Sequence, residues 1–169
     1  MSGGTISYNS ASSNYGGGVY GTSSTIKISG GVIHHNLGSV GGGVYAGSST
    51  ITFTGGTIRQ NTSPGNGGGV AFTGTMTMNG ADALIAGNES SGSGGGVRVG
   101  ADATFTFKKG IMRKNTAATH GGISKASSGT VNVSSATNGA YVCANNKPTN
   151  DYVNMTSSQI GYESTCNPW

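Results

Sequence analysis

An all-β, parallel β-helix is the fold class this sequence predicts, and three observations predict it. The first is a repeat. The apolar column Ile26, Ile51, Met76, Phe105 and Val131 advances by 25, 25, 29 and 26 residues. Self-similarity at that period is the signature of a solenoid, whose units bury their apolar faces only against one another. The second is alternation: Thr50, Ile51, Thr52, Phe53 and Thr54 switch between polar and apolar as a strand with one buried face does. The third is glycine in register. With 33 Gly in 169 residues, 8% charged and 33% hydrophobic, the chain would read as low complexity if its glycines were scattered. They recur instead in runs before the column Val19, Val44, Val70, Val97 and Ile123.

Residues 48–72 hold the unit in its clearest form. A first strand carries Ile51 and Phe53 inward. A Gly55-Gly56 step leads to a short middle strand with Ile58 inward between Thr57 and Arg59. Asn61 follows, then a loop, then the Gly67-Gly68-Gly69 run and a third strand beginning at Val70. Three short strands per coil of about 25–29 residues make a triangular coil, with no helical period anywhere. Coils stacked about 4.8 Å apart pair every strand with its neighbours and close an apolar shaft. The handedness of parallel connections predicts a right-handed coil. Asn9, Asn36, Asn61, Asn88 and Asn115 each stand three residues after Ile6, Ile33, Ile58, Ile85 and Met112. Asn tolerates left-handed corner angles and its amides can bond along a stack, so this column is expected to be structural.

In chain order, Met1 aligns with Phe53 and so enters in mid-coil. Upstream repeats or another copy of the chain are expected to cover that edge. The rod would be about 25–30 Å long at roughly 4.8 Å per coil, and end-to-end stacking would make a filament. Two coils are enlarged, around Gly80-Ala81-Asp82-Ala83 and Gly100-Ala101-Asp102-Ala103, and His120 replaces one Gly of the fifth run. The repeats occupy 1–134. Residues 135–169 break the pattern and read as an irregular C-terminal cap or joint, of the kind that protects a stack's edge. Both cysteines lie there. A Cys143–Cys166 disulfide is favoured over two free thiols. It would contribute about 3 kcal/mol by closing the loop, and it points to an extracellular location.

The units Gly31-Val32-Ile33-His34-His35-Asn36 and Gly41-Gly42-Gly43-Val44-Tyr45 resemble the repeats of polymorphic outer-membrane proteins and related autotransporter-adhesin passenger domains. The resemblance covers residues 1–134. It implies a β-helix and a cell-surface or secreted setting, and it carries no catalytic residues to transfer. Residues 135–169 show no barrel-strand pattern.

Composition narrows the function classes. The net charge of +4 comes from scattered cations. The one cluster, Lys108 to Lys114, has no interleaved aromatics to stack bases, so no nucleic acid is expected. No run suits a membrane span. Glycan-cleaving chemistry needs carboxylates at one spot. The five acids are Asp82, Glu89, Asp102, Asp151 and Glu163, and the pattern separates them. An enzyme is not expected, and no cofactor. His34 and His35 are adjacent on a strand and are expected to face opposite ways, which disfavours a metal site. A structural or adhesive extracellular module is the leading expectation, with copies of itself, upstream repeats or surface glycans as partners. The alternative is ice binding. Thr50, Thr52, Thr75, Thr77, Thr104 and Thr106 would form a flat grid on the first-strand face, interrupted at Lys27 and Asn132. The competing explanation is that Thr stacks well on itself in exposed ladders.

Overall fold

The computed structural model describes residues 1–134, 138–143, 146–147 and 160–161. All pairings are parallel, and each coil lies in register on the next. The larger sheet runs Thr5–Ser7, Thr25–His34, Val44–Arg59, Val70–Ala86, Thr104–Arg113, Ala140–Cys143 and Ile160–Gly161. Val44–Arg59 and Val70–Ala86 are long because each passes through two bends while keeping its ladder. Residue pairs such as Val44↔Val70, Ile51↔Met76 and Ile58↔Ile85 show that the three expected strands of a coil are present and stacked. The sequence columns are therefore the physical columns of a β-solenoid.

Alternation places the core as expected. Ile51, Phe53, Ile58, Val70, Met76 and Phe105 are all buried in one continuous apolar shaft. Phe105 and Phe107 stack at 5.9 Å, and Phe72 meets Phe105 edge-on at 6.3 Å. The enlargements bulge outward without breaking the stack. Phe53 pairs with Met78 and Gly56 with Ala83, so three residue steps on one coil face five on the next.

Two features differ from the sequence expectation. The stretch after each Asn, expected to be loop, forms a fourth ladder. Ser10–Ala11, Leu37–Gly38, Thr62–Ser63, Glu89–Ser93 and Thr116–Thr119 pair as a second sheet. These segments are two to five residues long and mostly Ser, Thr and Gly, so alternation cannot reveal them. The stack also continues past residue 134. Ala140–Cys143 pairs with the strand Thr104–Arg113 and puts Val142 beside Met112. The rest of the segment expected to be a cap lies largely outside the described residues.

Candidate functional site

The Asn column is the most ordered polar feature, and its chemistry is fully occupied. Asn61 Oδ1 accepts from the backbone N–H and from Nδ2 of Asn36, both at 3.0 Å. Asn61 Nδ2 donates to Ile33 O at 3.0 Å and to Asn88 Oδ1 at 3.0 Å. That uses both donors and both acceptor positions of the amide. The pattern repeats through Asn88 and Asn115, and all of these side chains are buried. Asn146 extends the ladder, accepting from Asn115 N and Nδ2 at 3.0 and 2.9 Å. Sequence reading missed it because Asn146 stands four residues after Val142, where the other members stand three after their apolar partner. The column is structural, but not because Asn takes the left-handed angle. That angle belongs to the residue before it: Tyr8, His35, Gln60 and Lys114 have φ of 57°, 53°, 52° and 53°. Turning the chain one residue early points the carboxamide inward.

The glycine runs pack against this ladder. Each first position turns with positive φ, as at Gly67 with 69°, and His120 takes the same angle at 58° in the fifth run. A Cβ on Gly68 would lie 2.4 Å from Glu89 O, and one on Gly69 would lie 3.0 Å from Asn88 Nδ2. Absence of side chains lets the fourth ladder and the carboxamides approach the third strand.

The threonine grid is present as geometry. Thr25, Thr50, Thr75, Thr104 and Thr130 stand in register across five coils. Beside them run Lys27, Thr52, Thr77, Thr106 and Asn132. Thr50 and Thr75 are exposed, whereas Thr52, Thr77, Thr104 and Thr106 are half-buried. Thr75 Oγ1 donates to Thr50 Oγ1 at 3.3 Å.

The expectation that His34 and His35 face apart is overturned. The left-handed angle at His35 swings its ring back, and the two Nδ1 atoms lie 2.6 Å apart. Tyr8 stacks on His35 at 5.0 Å and meets His34 edge-on at 5.6 Å. Partial burial, the adjacent Arg59 guanidinium and the His35 ring hold His34 below its ordinary pKa. Arg59 pairs in register with His34 and opposes a cation at that spot. Among the described residues no three His, Cys, Asp or Glu converge.

A second aromatic group was not anticipated. Tyr45 stacks on Tyr15 at 4.5 Å and on Tyr20 at 5.7 Å. Its partial burial, and then Tyr15 and Tyr20, push its phenol pKa up. The signal available in sequence was the register match of Tyr20 with Tyr45, one coil apart.

Asp82 sits in an outward bulge, Glu89 opens a fourth-ladder strand, and Asp102 turns with φ of 55° before the first strand of its coil. Asp151 and Glu163 lie outside the described residues. Cys143 is buried and disulfide-bonded, and Cys166 lies outside the described residues. Among the described residues no helix is long and apolar enough to cross a membrane. Comparison with known proteins finds no matching family model, no matching curated protein and no matching solved structure.

Proposed function

We propose that the chain is a structural or adhesive β-solenoid module of an extracellular or cell-surface protein. Its role is to be a stiff segment that presents polar faces. The observation that carries this reading is the unbroken Asn ladder from Asn9 to Asn146, which locks successive coils together through amides that are buried from Asn36 onward. Such a stack resists local opening, because each coil's polar groups are satisfied only by its neighbours. Further copies or repeats stack end to end through the same ladders. The carboxylates of the repeats stand at separate corners, which suits presentation better than acid–base work. The expected result is no hydrolase or lyase turnover on acidic glycans. Turnover that disappears in Asp82→Ala or Asp102→Ala would overturn the reading.

Ice binding is the second reading, favoured by one observation: a row of five threonines in register on an outward face. Alternate strand residues about 6.7 Å apart and coils about 4.8 Å apart give a flat lattice of hydroxyls and methyls. If it binds ice, thermal hysteresis is measurable and the double variant Thr52→Lys, Thr77→Lys abolishes it. Ice growth that is unchanged at high protein concentration removes this reading and leaves the structural one.

A further inference from the structure

Cations gather at one corner of the solenoid. The first-strand face is mainly Thr, and the outward third-strand column reads Tyr20, Tyr45, Ala71, Arg98 and Ser124, with a single cation. The outward middle-strand column instead reads Ser7, His34, Arg59, Ala86, Arg113, in register. The left-handed corner beside it reads Tyr8, His35, Gln60, Gly87, Lys114. Planar and cationic side chains therefore share one ridge, parallel to the solenoid axis. Tyr8, at 74% exposed, is the most exposed large hydrophobic among the described residues.

The ridge is interrupted once. Ala86 and Gly87 are small where the coils on either side carry Arg59 with Gln60 and Arg113 with Lys114. The result is a depression of about 220 Å³, walled by those four long side chains and floored by Leu84, Ala86 and Gly87. It is open above Gly87, where a Cβ would meet nothing nearer than Gln60 Cγ at 3.7 Å. Arg59 Nη1 donates to Gln60 Oε1, which holds that wall. None of the described lining residues is acidic.

We propose that this ridge binds an acidic polysaccharide running along the solenoid axis, with one sugar ring seated over Ala86 and Gly87. Guanidinium forks suit a carboxylate or sulfate, because they offer paired donors in one plane. The apolar floor at Leu84 and Ala86 suits the C–H face of a pyranose. Tyr8 offers a stacking surface and a hydroxyl toward one end of the ridge, and the His34–His35 pair offers ring nitrogens to sugar hydroxyls. A single-stranded nucleic acid would need a succession of aromatic platforms along its track, and the described rings of the ridge, Tyr8, His34 and His35, are gathered in two adjacent coils at one end of it. This assignment rests on the reading of the chain as a presenting module.

The test is calorimetric titration of the intact protein with size-defined oligogalacturonate, with a heparin-derived oligosaccharide, and with a neutral dextran oligosaccharide. The carboxylate and sulfate arms identify which acidic group is preferred. Binding to an acidic oligosaccharide and not to dextran is expected. Arg59→Gln, which loses a charged hydrogen-bonding partner, and Ala86→Glu, which fills the depression with a carboxylate that repels an acidic sugar, are each expected to weaken it about tenfold or more at unchanged Tm. Lys27→Gln with Lys108→Gln, on the threonine face, should leave it unchanged. Equal weakening by that pair, unaltered binding in Ala86→Glu, or no binding of either acidic oligosaccharide would overturn the ridge assignment. Equally tight binding of single-stranded DNA, competing with the glycan, would also overturn it. Recovering the oligosaccharide separates the two readings. Shortened product would sink the presenting-module reading and leave the ridge as a binding site. Ridge-independent binding of intact oligosaccharide would sink the ridge alone.

Discussion

Asn61→Ala is expected to remove a large share of the protein's stability. The substitution deletes an acceptor used by Asn36 N–H and Nδ2 and a donor used by Ile33 O and Asn88 Oδ1. Asn36 and Asn88 are themselves buried, so water cannot replace what is lost. At about 1 kcal/mol for each of the four buried hydrogen bonds lost the cost is about 4 kcal/mol, against a typical total of about 5–15 kcal/mol for a domain. Denaturant unfolding measures it. Asn61→Asp separates hydrogen bonding from shape. An ionised carboxylate there faces Ile33 O and Asn88 Oδ1 with no proton to give, so burial and those acceptors raise its pKa above the unfolded value. A raised folded pKa contributes stability at low pH that is lost as pH rises through it. The Asp variant should therefore recover stability on acidification, while the Ala variant should not. Asn9→Ala, at an exposed position, should cost about 0.5 kcal/mol or less. Equal losses at Asn9 and Asn61 would contradict the burial argument.

The second large effect is at Gly68. A Cβ there would stand 2.4 Å from Glu89 O, 2.6 Å from its carbonyl carbon and 2.7 Å from its nitrogen. Every one of these is a backbone atom in a paired strand, and Glu89 N–H donates to Asn61 O at 2.9 Å. No side chain can rotate away, so the coils must part. We expect Gly68→Ala to cost about 3 kcal/mol or more, at the upper end for overpacking. The damage should be local, because coils interact only with neighbours. Limited proteolysis should cut near residues 60–95 first. Gly3→Ala, whose Cβ would meet nothing within 4 Å, is the matched control and should be neutral. An unchanged midpoint in Gly68→Ala would show that the third and fourth ladders can separate freely.

The inward columns were legible because they are periodic. Ile51, Phe53 and Ile58 alternate with polar residues, and alternation on a stacked strand is decided by which face meets the shaft. The threonine grid followed for the same reason, as did the two outward bulges, since inserted residues must leave a ladder whose register is held on both sides. What the chain does at its corners was not legible. The left-handed angle falls on the residue before Asn, and that one rotation turns the carboxamide inward and brings His35 back onto His34. Period two says nothing about it. The fourth ladder, mostly Ser, Thr and Gly, has little apolar contrast to display, and Asn146 joins its column although it stands four residues after Val142 rather than three. The depression over Ala86 and Gly87 exists because long side chains lie one coil above and one coil below, residues about 27 positions away in sequence. The amino-acid sequence by itself determined the stack, through burial repeated at a fixed period. Only the tertiary structure decided which side chains meet across coils, because corner dihedrals and coil-to-coil register set those distances.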